Sequence, residues 1–155
     1  METPQHCPEC RATWTEGITC QDHLHQMLFW EAEDPSLGVV HHLMVLCYHL
    51  QHPSLYSPEG LRFSMQLLVD FVEHGVSPQE SRQQNRTVVN SSNRKWKITA
   101  TPTSHGSYEN PIQWPMTAAH VIAGGTDQYC ENVRAWSRSM LEALVASGNL
   151  NSANV

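Results

Sequence analysis

Apolar positions fall into helical periods over most of this chain and lose all period near its start and between residues 94 and 116. Residues 1–19 carry turn formers and no periodic apolar face, which predicts a loop or knuckle. A first helix is expected over about 20–33, with Leu24, Met27 and Leu28 on one face and Glu31 at the next position on it. Asp34-Pro35-Ser36-Leu37-Gly38 is a turn, because Pro35 disfavours a helical conformation at residue 34. A second helix should then run to His52 with Val39, Leu43, Leu46 and Leu50 as its stripe, ended by Pro53.

Ser57-Pro58-Glu59 places a serine N-cap before a proline at the first helical position. Leu61, Met65, Leu68 and Val72 carry that third helix to about His74. Ser77-Pro78-Gln79-Glu80 repeats the signal and adds a capping box, predicting a polar fourth helix that frays into residues 90–93. Residues 96–101 suggest a short strand without an obvious partner. Thr117 starts a short helix ending at Gly124-Gly125, and Thr126 starts the last, striped by Tyr129, Val133, Trp136, Met140 and Leu144. From Ser147 the chain is polar and is expected to be a disordered tail.

The architecture expected is mainly α: a small helical bundle with an N-terminal zinc knuckle packed on the first helical hairpin. We read 1–146 as a single helical domain and 147–155 as tail. Within the domain, 1–19 is the knuckle, 20–76 the helical core, 77–116 a helix plus irregular segment, and 117–146 the C-terminal helices. A length of 155 residues suits one core, and 40% hydrophobic against 15% charged residues is a globular balance. The opening METPQHCPEC has neither a basic n-region nor an apolar h-region, and no apolar stretch approaches the ~20 residues of a membrane span. A cytoplasmic protein with no membrane attachment is the expectation.

Charge changes that picture in one respect. Residues 1–52 hold Glu2, Glu9, Glu16, Asp22, Glu31, Glu33 and Asp34 against a single base, Arg11, so the whole net charge of -6 sits on the cysteine-bearing third of the chain. Nucleic-acid-binding zinc modules bring Lys and Arg to phosphate. This one repels it, and the cluster Arg94-Lys95-Trp96-Lys97 is a weak counter-signal. A nucleic-acid-binding zinc protein is therefore the least supported functional class.

Five cysteines make an odd set, unlike a secreted disulfide framework. Cys47 and Cys130 lie in apolar runs and read as core. Cys7 and Cys10 stand at the C-x2-C spacing with Cys20 ten residues on, and thiolates in that pattern with a histidine are ligands for tetrahedral zinc. If the first two helices form an antiparallel hairpin, facing positions sum to about 72 and Cys20 lies beside His52. One ligand from each helix would pin the hairpin, which makes His52 the first choice of fourth ligand. His23, on the same face as Cys20, is the alternative, and His25 and His49 are further candidates. A redox pair at Cys7 and Cys10 would need a preceding strand, which is lacking. With four protein ligands the zinc would be structural and would activate no water.

The other candidates are weaker. Facing positions bring His41 near Glu31 at the opposite end of the hairpin, either as an acid–base pair or as an ordinary buried hydrogen bond. Arg134, beside Trp136, could bind an anion or lie over an aromatic ring.

The segments CPEC (7–10), Cys20, VHHLMVLCYHLQHP (40–53), RKWKI (94–98), WPMTAAHV (114–121) and VRAWSRSM (133–140) together resemble a bacterial family, domain of unknown function 5946. The resemblance covers most of the chain. Its longest motif looks like V-H-x-L-x-V-x-x-Y-x-x-Q-H-P, matched here by Val40, His41, Leu43, Val45, Tyr48, Gln51, His52 and Pro53. His23 and His49 are outside that motif, which favours His52 as ligand. Arg11 stands where the family usually has glycine, and His120 where it usually has Asp. The resemblance implies the fold and a zinc site, and no reaction. We expect a non-enzymatic protein that binds a partner protein or small ligand. The alternative is an enzyme with an acid–base site around Glu31 and His41, assisted by Arg134.

Overall fold

The structure, a computed structural model, describes residues 5–84 and 97–152, with the side chains of Arg82 and Gln84 left aside. The expected fraying of the fourth helix into 90–93, residues 94–96 of the basic–aromatic cluster and the last three residues of the tail lie outside the described residues.

Helix α1 (Cys20–Glu33) begins where the sequence indicates, for a reason the sequence reading passed over. Thr19 Oγ1 accepts from the Asp22 backbone N–H at 3.3 Å, and Asp22 accepts from the Thr19 N–H at 2.8 Å, a reciprocal cap with Asp in place of the usual Glu or Gln. Asp34 ends the helix and caps a 3-10 turn over Pro35–Val40 by accepting from the Ser36 N–H at 3.1 Å. Helix α2 (His41–Leu50) follows.

That 3-10 stretch takes Val39 out of the stripe expected for α2, while Leu46 and Leu50 are buried as expected. Val39, read as the start of its apolar stripe, is 67% exposed, and Leu43 is half-buried. The buried residues are Met44, Leu46, Cys47, Tyr48 and Leu50, because α2 is the central helix, covered on more than one side. It packs on both α3 (Pro58–Glu73) and the last helix, which we label α6 (Tyr129–Ala146). On α6 the expected stripe is the observed one: Tyr129, Val133, Trp136, Met140 and Leu144 are wholly buried.

Between them lie α4 (Pro78–Gln84) and α5 (Ala118–Ala123). Ser77 caps α4 by accepting from the Glu80 N–H at 3.1 Å. At the start of α5, His120 Nδ1 accepts from the Thr117 backbone N–H at 3.0 Å. An Asp at residue 120 would occupy the reach-back position of a capping box, so here an imidazole nitrogen does a carboxylate's work.

Among the described residues there is no strand, in place of the short one expected over 96–101. Thr99 forms a single bridge with Tyr56, and Thr101 one with Ser104. The segment instead lies along residues 55–57: the Ser57 N–H donates to the Ile98 carbonyl at 2.8 Å, Ala100 N–H to Leu55 at 3.1 Å, and Gly106 N–H to Tyr56 at 2.7 Å. Gly60, in the first turn of α3, makes this approach feasible, since a Cβ there would lie inside the van der Waals shell of the Ile98 carbonyl.

Residues 148–150, at the start of the expected tail, close α6. Gly148 takes φ +79°, the N–H groups of Asn149 and Leu150 return to the Leu144 carbonyl at 3.0 Å, and Asn149 exchanges hydrogen bonds with the backbone of Asn110. No described helix is long and apolar enough to cross a membrane.

Candidate metal centre

The knuckle is a tight turn whose backbone aims two sulfurs the same way. Cys7 N–H donates to the Ala12 carbonyl at 2.9 Å and Arg11 N–H to the Cys7 carbonyl at 3.0 Å, with His6 and Thr13 bridged on either side. Arg11 holds φ at +64°, a left-handed conformation that costs a residue with a Cβ ~1–2 kcal/mol and that glycine adopts freely. The knuckle is tied to the hairpin by Glu9, whose carboxylate accepts from the Ser54 N–H at 3.1 Å.

Cys20, the first residue of α1, and His52, just beyond α2, complete the group. The donor atoms of Cys7, Cys10, Cys20 and His52 all lie within 4.8 Å of one another, and all four residues are buried. Cys10 Sγ is 3.5 Å from Cys20 Sγ, and Cys7 Sγ is 3.6 Å from His52 Nε2. The edges of a tetrahedron around zinc are ~3.8 Å between sulfurs and ~3.5 Å from sulfur to nitrogen, so both spacings fit a shared ion. None of the cysteines is in a disulfide. His23 is half-buried outside the group. His25 is exposed, and His49 spends Nδ1 on its own helix, 2.8 Å from the Val45 carbonyl.

The surrounding bonds suit this arrangement. His52 Nδ1–H donates to the Tyr48 carbonyl at 2.6 Å, which leaves the Nε2 lone pair of the neutral ring facing the sulfurs. The Tyr48 ring lies over His52, centroids 4.3 Å apart. Trp14 Nε1–H donates to Cys20 Sγ at 3.3 Å, and the Cys10 backbone N–H points at Cys7 Sγ at 3.5 Å.

Without a bound cation, the same four groups are in electrostatic conflict. Hydrogen bonding from the Cys10 and Cys20 side chains draws the Cys7 thiol far below its usual range, while its contacts with Cys20 and Cys7 push the Cys10 thiol far up. Burial opposes a charge on His52, but its bonds with the Cys20 and Cys7 sulfurs and the Tyr48 carbonyl outweigh it and push its pKa up to about 10. Acids this crowded cannot all ionise alone, and a cation at their centre removes the conflict. The group could hold a metal ion.

Three consecutive residues at the end of α2 organise the surroundings. The Leu50 carbonyl accepts from the Tyr108 hydroxyl, Gln51 Nε2 donates to the Met116 carbonyl at 2.8 Å, and His52 joins the sulfurs. Sequence reasoning missed Trp14, Tyr108 and the role of Gln51. The Gln-His-Pro motif was the available signal for Gln51, a wholly buried polar side chain.

At the other end of the hairpin, Glu31 and His41 meet as the facing rule indicates, His41 Nδ1 to Glu31 Oε1 at 2.6 Å. The second carboxylate oxygen accepts from the hydroxyl of Tyr129, which the sequence did not suggest, and Tyr129 sits edge-on to Trp30. The cluster ties α1, α2 and α6 together. Neither Glu31 nor His41 lines the cleft beside the knuckle or the hollows around Phe71 and Tyr108. Arg134 is elsewhere, on a small hollow with Val39, Leu43, Phe71 and Pro78.

A model of a family of unknown function, DUF5946, matches residues 5–145. No curated protein and no solved structure matches the chain.

Proposed function

The chain belongs to the DUF5946 family, and since that description assigns no reaction, we propose a role from the site itself: a zinc-stabilised helical protein that binds a partner or small ligand. The observation that carries the metal reading is the convergence of Cys7, Cys10, Cys20 and His52 in a buried group with donor atoms within 4.8 Å. Three thiolates and one imidazole are a soft donor set, and zinc is the ion such sets hold as structural sites. Four protein donors fill a tetrahedral ion, so the metal would fasten the knuckle to both helices of the hairpin.

The binding role is supported by what remains. The carboxylate–imidazole pair Glu31–His41 is engaged with Tyr129 in joining three helices and lies apart from the cleft beside the knuckle. The acidic N-terminal third argues against a nucleic-acid partner. The test is elemental analysis of protein purified without chelators. Close to one zinc per chain is the expected result, and well under one, or another metal in its place, would overturn the zinc reading.

A further inference from the structure

Beside the metal group runs a cleft of roughly 530 Å³, bounded by the knuckle, residues 112–117 and α5. Its lining includes Arg11, Thr13, Ile112, Trp114, Ala119 and His120. A volume of this order is that of a small-molecule site.

The cleft holds a cation that the local structure neither uses nor favours. Arg11 is the sole lysine or arginine in the first 61 residues. Its backbone is held in the left-handed region, where a side chain is a cost. Among the described residues its guanidinium has no hydrogen bond or ion pair. Within the acidic third of the chain this one basic side chain lines the cleft. His120, on the same cleft, accepts the Thr117 N–H through Nδ1, so its ring proton is carried on Nε2 as a further donor. The apolar wall is rigid, because Trp114 packs edge-on against Tyr108, centroids 5.9 Å apart, and Tyr108 is anchored to the Leu50 carbonyl.

We propose that this cleft binds a small aromatic carboxylate, its anion at Arg11 with His120 as second donor and its ring against Trp114 and Ile112. Guanidinium pairs with carboxylate through two parallel hydrogen bonds, and an indole face suits a flat apolar body. The inference rests on the structural-metal reading in one respect, that the metal holds the knuckle wall in place.

Two variants separate recognition from folding. Arg11→Gly removes the cation and relieves the strained backbone. His120→Asp keeps a reach-back cap for α5 and reverses the polarity of that wall. The experiment is an amide and indole N–H NMR titration of the full chain with indole-3-acetate, using neutral indole as control and measuring zinc on every sample. Saturable shifts at Trp114, Arg11 and Ala119 with indole-3-acetate are expected, with indole much weaker. Arg11→Gly should bind about tenfold to a hundredfold more weakly, the loss of a charge-assisted hydrogen bond, and His120→Asp should also weaken binding. Zinc-loaded wild type showing no saturable shift at the cleft, or Arg11→Gly binding as tightly as wild type, would overturn the proposal. Zinc-free protein that still binds through Arg11 would leave it standing and remove the structural-zinc reading instead.

Discussion

His52 donates through Nδ1 to the carbonyl of Tyr48 at 2.6 Å, one helical turn behind it, and so turns Nε2 toward Cys7 Sγ. The end of a helix thereby fixes the tautomer and direction of an imidazole whose other nitrogen meets three sulfurs. Removing either partner in the sulfur group should uncouple the knuckle from the hairpin. Cys20→Ala and His52→Ala are expected to lose the metal and to destabilise the fold by on the order of 5 kcal/mol or more, since structural zinc contributes its binding free energy to folding. His23→Ala should change stability by less than about 1 kcal/mol. Urea unfolding with parallel metal analysis distinguishes them, and metal loss from His23→Ala but not His52→Ala would show that the wrong histidine is assigned.

The Tyr129–Glu31–His41 cluster is expected to be a structural tie. Tyr129→Phe leaves a nearly buried carboxylate oxygen without its donor and should cost about 1–3 kcal/mol. A double-mutant cycle between Tyr129→Phe and Glu31→Gln should return a coupling of ~1 kcal/mol or more. No coupling would mean that the two groups act independently.

Alkaline stability follows from the tyrosines. Burial is the leading cause that pushes Tyr48 and Tyr56 up to about 12 and raises Tyr108 and Tyr129 further. An unfolded tyrosine ionises near pH ~10, so above that pH the unfolded chain holds fewer protons than the native one and stability falls as pH rises. Below pH ~10 these groups contribute no slope. Spectrophotometric titration should show tyrosinate appearing late, together with loss of helix by circular dichroism. Tyrosinate forming near pH 10 with the helix signal intact would contradict this burial.

Gly60→Ala tests how residues 97–100 dock. The added methyl meets the backbone of Ile98, which has no flexible end to yield. A loss of about 2–4 kcal/mol is expected, larger than the ~1 kcal/mol gained from alanine's better helix propensity. A neutral or stabilising effect in thermal unfolding would show that this segment is not seated against α3.

The metal group was legible in the sequence because it depends on few, local facts. Pro35 sets the turn after the first helix, Pro53 keeps the second from continuing past His52, and similar numbers of residues on either side of the turn bring Cys20 and His52 together. Glu31 and His41 meet for the same reason. Tyr129 could not be read as Glu31's partner, because 98 residues separate them and no period links one helix to another. Val39 was misplaced because apolar spacing does not distinguish a 3-10 stretch from the first turn of an α-helix. The docking of residues 97–106 on 55–57 depends on single backbone hydrogen bonds, which leave no pattern in side-chain type. The positive φ of Arg11 was hidden by a residue that rarely adopts it.

Cobalt substitution tests the central claim, a closed four-ligand structural site, most directly. Cobalt(II) occupies zinc sites with the same ligands, and its visible spectrum reports geometry and sulfur ligation together. Cys7, Cys10, Cys20 and His52 should give one cobalt per chain, an intense tetrahedral envelope and sulfur-to-metal charge-transfer bands. All of these should stay unchanged on adding azide. A spectrum that shifts with azide while the helices remain folded would reveal an open coordination position, and with it a metal poised to act on a ligand and not merely to hold the fold.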